Sequence, residues 1–587
     1  MSHHYQAVNW NRQKRVYDSV LGLAVVGAVA LFAGVTFVAH PFATAESALI
    51  RGLGLTGFLL LHVILVIGPA ARLDRRFLPL LYKRRHLGVT LGLLAVAHAG
   101  FVVIQYHALG NLDPFVSLFT ANPDWNSLAN FPFELFGVLA LAVLVLMAVT
   151  SHDYWLSVLT PPVWKALHMA VYPAYVALIL HVGLGFLQDE RHPIYIVALV
   201  LGVLLVGGLH LAAARRERRL DQEISDAEWV AVCRPDEIVE GRAKIGTIGH
   251  ERVAVFKHQG RLSAVTNVCK HQGGPLGEGK IVDGCITCPW HGYQFRPEDG
   301  RSPPPFQDSV PTFDLRLTNG LVSVRRTPNP AGTLVQPLVP DLSTGPADSE
   351  PFYVGYHPAA PATLARFNRT AVVTVLVLTS GLVAAFALAQ RTFDPSHYEY
   401  GTTRILSGTL RATPFPVLEV DSGSTVQQYL LAGAGKFGAR GIVAPLDGRR
   451  VRVSGQLAYR GNGRLLEIAS VTPAGGPTLG PEPLIDLGSF RLEGEIVDSK
   501  CYMGVMNPGR GKTHRGCAAR CLSGGMTPLF AARNFNGVPI ELVVMNEQMS
   551  PFPPLGRIAG RPLALTGRVL RRGDLWLFQV SGGLPPS

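Results

Sequence analysis

The chain has 587 residues, a net charge of +12 and only 16% charged side chains, while 48% of its residues are hydrophobic. That length exceeds one domain, and the apolar balance argues against a soluble protein and for membrane spans. The surplus of Lys and Arg fits loops flanking such spans better than a nucleic-acid surface, and seven cysteines are too few for a disulfide scaffold.

Apolar runs long enough to cross a bilayer, about 20 residues each, lie near 17–39, 50–70, 87–106, 134–150, 166–187 and 194–213. They predict an all-α bundle of six transmembrane helices over 1–220. A seventh run, "AVVTVLVLTSGLVAAFALAQ", predicts a separate transmembrane helix over 366–391. Arg12, Lys14, Arg15, the Arg72–Arg85 loop, Lys165 and Arg215 to Arg219 all fall on one side, against Arg51 and Arg191 on the other. This places the N-terminus and residues 221–328 in the cytoplasm, and the chain beyond the seventh span outside it. Eight prolines between 328 and 361 make 329–365 a semi-rigid tether. Residues 392–587 are β-rich, with a faint repeat: "LDGRRVRVSGQLAYRGNGRLLEIA" at 446–469 resembles "IAGRPLALTGRVLRRGDLWLFQV" at 558–580. Two small OB- or sandwich-like halves are expected.

Just behind the sixth span, Cys269 and His271 are followed, after sixteen residues, by Cys288 and His291. Two Cys and two His would suit structural zinc. The spacing, with a Gly-Pro-rich loop and then C-P-W-H, instead resembles the Rieske iron–sulfur family over about 225–327. The resemblance implies an all-β domain in which Cys269, His271, Cys288 and His291 hold a [2Fe-2S] cluster, two thiolates on one iron and two imidazoles on the other. Gly274 and Trp290 stand where one branch of the family carries a disulfide, so the ferredoxin-like branch is indicated. Cys233 and Cys285 read as packed strand residues.

The third and fifth spans read "RRHLGVTLGLLAVAHAG" and "WKALHMAVYPAYVALILHVG". They resemble the ferric-reductase-like transmembrane family, in which histidines on these two spans ligate stacked b-type haems. The resemblance implies one haem b held by His98 and His181. It leaves open a second at His168, whose matched partner position, fourteen residues before His98, is occupied by Arg84; His86 lies two residues away. Arg84 is a candidate partner for a haem propionate. His168 and His181 lie thirteen apart, out of phase on an ideal helix, so Pro173 between them is expected to kink the span. His62 reads as a hydrogen-bonding residue, and His152 and His210 receive no role.

Ferric reductases follow this domain with a flavin and nicotinamide module. Here the single G-x-G-x-x-G, Gly433, Gly435 and Gly438, lacks a following helix and reads as a loop. Electrons are therefore expected from a separate cytosolic ferredoxin or flavoprotein reductase, or from membrane quinone. At the outer end Cys501, Cys517 and Cys521 gather with His514, and three readings stand: a structural disulfide, a soft-metal site such as copper, or a redox dithiol.

The expected function is that of an oxidoreductase component in a bacterial inner membrane, moving electrons from a cytosolic reductant through cluster and haem to an unknown extracytoplasmic acceptor. A redox sensor or assembly factor without turnover, and inward flow from an external substrate, are the alternatives.

Overall fold

The computed structural model describes residues 12–122, 124–159, 161–220, 227–249, 251–304, 306–340, 351–354, 360–423, 425–553 and 555–584. Six helices are long and apolar enough to cross a membrane: Lys14–Ala39, Ala45–Leu73, Arg84–His107, Val163–Asp189, Pro193–Arg219 and Ala362–Leu388. The run predicted at 134–150 forms a shorter apolar helix, Glu134–Val149, which packs between the His98 helix and the His181 helix. Close approach is bought with small residues. A Cβ on Gly92 would stand 2.8 Å from that of Ala148. The last apolar helix, Ala362–Leu388, lies along the first.

The fifth span is broken rather than gently kinked. Helix Pro161–Met169 ends, Ala170 turns, and helix Val171–Leu184 begins. Pro173 offers no N–H to the carbonyl four residues earlier, that of Met169, so the ladder fails one turn before the proline.

Residues 228–325 form three small antiparallel sheets. Ala243–Ile248, Glu251–His258, Arg261–Thr266 and Thr312–Phe313 pair in that order; Trp229–Cys233, Leu321–Arg325 and Leu315–Thr318 form the second. Lys280–Val282, Cys285–Thr287 and Gln294–Phe295 form the third, from which one of the two Cys-His loops projects. Cys233 is buried in the core and Cys285 is half-buried in its strand, as expected of packing residues.

The proline-rich stretch differs from a free tether in its first part. Leu338 and Leu262 exchange backbone hydrogen bonds of 2.8 and 2.9 Å, and the Val335 N–H donates to the Glu298 carbonyl. An extended chain keeps its non-proline N–H groups available, so it adds itself to an exposed sheet edge. Residues 341–350 and 355–359 lie outside the described residues.

The region after the last apolar helix forms two five-stranded rings with one topology, the short strand His397–Tyr398 adding to the first. In the first, Arg404–Arg411 pairs with Val417–Asp421 and Arg450–Arg460, and Val426–Ala432 runs parallel to Gly463–Pro473. In the second, Leu484–Asp498 pairs with Pro528–Phe535 and Pro562–Arg572, and Val538–Met545 runs parallel to Leu575–Val580. The two repeat segments supply the fourth and fifth strands of each ring. Alternating side chains fill each interior, with Leu418, Leu431 and Val453 in one and Ile496, Phe530 and Phe578 in the other. The opposite faces meet between the barrels.

The Cys-His domain and the barrels sit on opposite ends of the bundle. Arg252 pairs at 2.6 Å with Glu217 in the last turn of the Pro193–Arg219 helix, whereas the Lys512 and Thr513 N–H groups donate to Asp189 at the far end.

Phe530 and Phe578 are fully buried and stacked at 5.5 Å. Truncating Phe578→Ala is expected to cost about 3–5 kcal/mol of barrel stability, read as a lower unfolding temperature of the outer region while the absorption of the membrane part is unchanged.

Candidate functional site

The two Cys-His loops are built alike. Gly273 N–H donates to the Cys269 carbonyl at 2.8 Å and Gly292 N–H to the Cys288 carbonyl at 2.9 Å; Cys269 N–H reaches Gly274 and Cys288 N–H reaches Tyr293, both at 2.8 Å. Both loops need a residue at positive φ, +76° at Gly273 and +72° at Gly292. The turns bring Cys269 and Cys288 into hydrogen-bond reach of each other. Each sulfur also faces backbone N–H groups: His271 and Gln272 for one, Trp290 and His291 for the other. Burial would push Cys288 up, but the hydrogen bond from Cys269 and those N–H groups outweigh it and hold its pKa below the usual thiol range. The His271 and His291 rings stand 5.0 Å apart at 78°, with His271 stacked on Tyr293 at 5.1 Å. Two N–H-cradled sulfurs opposite two imidazoles suit a cluster held by two thiolates and two histidines. Gly274 is where the second sulfur needs room: a Cβ there would lie 2.7 Å from Cys288 Sγ and 3.1 Å from the Trp290 ring.

This tip docks on the helices. Trp290 packs into the apolar cluster of Leu81, Leu87 and Tyr175, with Arg72 over its ring at 5.7 Å, and the His291 ring faces Tyr82 at 6.2 Å.

Inside the bundle, hydrogen bonds sort the histidines. His62, His168 and His210 each bond the carbonyl four residues earlier on their own helix, of Phe58, Trp164 and Val206. The remaining nitrogens of His62 and His210 meet the hydroxyls of Tyr175 and Tyr172, both at 2.9 Å, which gives His62 the role expected of it. His98 and His181 instead lean on neighbouring helices: His98 Nδ1 bonds the Ile50 carbonyl at 3.0 Å and His181 Nδ1 the Phe133 carbonyl at 3.1 Å. Each carbonyl is followed four residues later by a glycine, Gly54 and Gly137. A Cβ at either would stand 3.1 and 2.8 Å from the imidazole. Donation at Nδ1 leaves Nε2 as an acceptor, the state a metal-ligating histidine needs. The two rings lie close enough for their charges to interact.

The inner position is less complete. His168 Nε2 is buried beside the Met147 backbone, without a hydrogen bond of good geometry among the described residues, and the ring stacks on Trp164 at 3.7 Å. His86 is tied to Asp18 and set against the Tyr17 ring, which removes it as a partner for His168. Arg84 interacts electrostatically with His168.

At the far end the helix carrying His98 widens into one π-helical turn, Val103–His107. Lys436, from the Gly433–Gly438 loop, donates to the carbonyls of Gln105 and Ala108 at 3.0 and 2.5 Å. A cation on the last carbonyls of a helix is favourably placed. The loop reading of that glycine motif holds, and its role as a clamp was not readable from the sequence.

Against this turn sit the outer cysteines. Their three Sγ atoms lie within 4.8 Å of one another, Cys501 and Cys517 at 3.8 Å, and Cys517 Sγ reaches the Gln105 carbonyl at 3.8 Å. None of the three sulfurs is bonded to another in this structure. Cys517 is held well below the usual thiol range by hydrogen bonds from Cys501 and Cys521, with His514 and Lys436 adding positive charge. His514 Nε2 meets Asp498 at 3.1 Å and its Nδ1 meets Met506 Sδ at 3.0 Å.

Residues 228–314 match the family model described as the Rieske [2Fe-2S] domain, and residues 52–179 that of the ferric reductase like transmembrane component. The ferredoxin component of the alkene monooxygenase system of Xanthobacter autotrophicus is 33% identical over 109 residues, 18% of this chain and 89% of that protein. The haem-binding subunit MsrQ of the protein-methionine-sulfoxide reductase of Caulobacter vibrioides is 33% identical over 157 residues, 27% of this chain and 70% of that protein. A solved complex of reduced oxygenase and oxidised ferredoxin in carbazole 1,9a-dioxygenase aligns with 17% of this chain and 96% of that one, at 24% identity and a TM-score of 0.17. Both family matches end at or before residue 314.

Gly274→Ala is expected to cut the electron-resonance signal of the cluster by roughly tenfold, the usual scale for disturbing a metal site's surroundings. Arg261→Lys, exposed at the hairpin between Glu251–His258 and Arg261–Thr266, serves as the folding control and keeps the signal.

Proposed function

We propose that this chain, which belongs to the ferric-reductase-like transmembrane and Rieske [2Fe-2S] families, moves single electrons across a bacterial inner membrane, from a cytosolic or quinone donor to an acceptor outside. One observation carries the reading. Two histidines whose Nε2 atoms are left as acceptors stand within the bundle, between a Cys-His tip docked on one end and a sulfur cluster docked on the other.

Cys269, Cys288, His271 and His291 would hold the cluster, and His98 and His181 a haem b. Each group stores one electron when bound and neither takes a hydride. The surrounding residues do the rest. Trp290, inserted among the helix side chains, keeps water from the interface between tip and bundle. Tyr82 lies against His291 and shortens the gap to the helices. Arg84, near His168, offers a cation to a haem propionate, and His168 itself supports a second haem site. The Lys and Arg bias of the loops supports a tip facing the cytosol. The oxidoreductase needs a separate source of reducing equivalents, since the glycine motif is a structural loop.

His98→Ala and His181→Ala are each expected to lower protohaem per chain by more than the roughly tenfold that disturbing a ligand's hydrogen-bond partner costs, with the Rieske electron-resonance signal intact. His210→Ala should keep its haem. Unchanged haem in both ligand variants would sink this reading. In sealed vesicles, Cys288→Ser should abolish reduction of the haem by an external-side-impermeant donor and leave its dithionite reduction unaffected.

A further inference from the structure

The outer sulfur cluster has a composition out of proportion to the chain. Of eight methionines in the sequence, five, Met503, Met506, Met526, Met545 and Met549, pack in the same cluster as Cys501, Cys517 and Cys521. The three cysteines are between 1 and 6% exposed. Cys517 and Cys521 lie one turn apart on helix Arg515–Ser523, and Cys501 enters from the turn that follows strand Leu484–Asp498.

Three observations decide among a disulfide, zinc and a softer metal. The Cys501–Cys517 sulfur separation of 3.8 Å is far from a bond of about 2.05 Å. It matches the edge of a coordination shell whose metal–sulfur distance is roughly 2.3 Å. Zinc in a structural site asks for a fourth nitrogen or sulfur ligand. Asp498 and His514 also lie within 4.8 Å of Cys501, but they are bonded to each other at 3.1 Å and the second His514 nitrogen is engaged by Met506. A three-thiolate site in thioether surroundings suits copper, above all as Cu(I). A dithiol, by contrast, exchanges electrons in pairs, whereas this chain's proposed cofactors deliver them singly.

We propose that Cys501, Cys517 and Cys521 bind one copper ion, and that this ion is the first redox station beyond the membrane. The part about electron flow rests on the function proposed above; the binding part does not. The station is wired by contact. Gln105, Tyr106 and His107 end the helix that carries His98, roughly 12 Å from His98 to Tyr106 at 1.5 Å per residue. Gln105 touches Cys517, Tyr106 packs on the cluster with its ring 6.5 Å from His514, and a Cβ on Gly516 would lie 3.1 Å from the His107 ring. One electron arriving along this helix converts Cu(II) to Cu(I). No bond among the sulfurs forms or breaks, and no proton moves in that step. A thiolate-rich site releases thiol protons when it loads the metal.

The test uses the full-length protein in detergent, stripped of metal under reducing, anaerobic conditions and titrated with Cu(I) against a colorimetric Cu(I) chelator. The expected result is one copper per chain retained, a sulfur-only first shell by X-ray absorption, and at least about tenfold weaker retention in Cys517→Ser. Cys233→Ser, in the core of the Cys-His domain, should retain copper as the wild type does. The cluster and haem spectra report that each variant has folded. The proposal is overturned if the chelator removes all copper from the wild type, if Cys517→Ser retains it equally, if zinc is bound and not displaced by Cu(I), or if the untreated protein carries a disulfide among the three cysteines. Copper absent with haem and cluster present would sink this inference alone; copper present without haem would sink the electron-transfer reading alone.

Discussion

A ring N–H placed in hydrocarbon must be given to an acceptor, and the way two imidazoles meet that demand organises this molecule. A neutral histidine has one N–H. Where the acceptor is the carbonyl four residues back on the same helix, the ring lies along its own helix, as in His62 and His210, and a tyrosine takes the other nitrogen. His98 and His181 donate instead to carbonyls of adjacent helices, uncovered because Gly54 and Gly137 carry no side chain over them. The donation fixes the tautomer, the ring direction and the separation of the helices at once. Next to Ile50, Arg51 is anchored by Glu190 and Gln390, both at 2.7 Å, in an ion pair that is 11% and 1% exposed. Breaking one partner of such a buried pair is costly, so the carbonyl that orients His98 is held by a contact shared with the end of the last transmembrane helix.

What could be read from the sequence was what is encoded close together along it. The Cys-His pairs are such a signal, because the loop that cradles each sulfur is only a few residues long. His98 and His181 followed from matching two spans to a known pattern. The carbonyl and glycine spaced by four on the neighbouring spans, Ile50 with Gly54 and Phe133 with Gly137, were a further signal that was there to use. The kink expected of Pro173 appears as a break at Ala170, one turn earlier, because proline acts on the carbonyl behind it. The packing of 329–340 was missed since a proline-rich composition speaks of stiffness and not of the sheet edge it finds.

The contacts that join the outer region to the bundle were illegible for a different reason. Cys517 and Gln105, Lys436 and Ala108, Lys512 and Gln188 are separated by more than three hundred residues. No local pattern announces them. The motif around Gly435 shows how composition misleads: it has the letters of a nucleotide loop, but its backbone carbonyls receive Lys500 at 3.0 and 2.8 Å and its lysine caps a transmembrane helix. Glycine there serves close approach between pieces of one chain, since a Cβ on Gly435 would lie 2.7 Å from the Leu109 carbonyl oxygen.

The twin barrels differ at one junction. Between first and second strands the leading ring spends only residues 412–416, while the trailing ring spends 499–527 at the same place, and every outer cysteine lies within that excursion. A doubled scaffold lets one copy stay plain and hold the other in place. The long loop can then change its side chains without either ring having to refold around it.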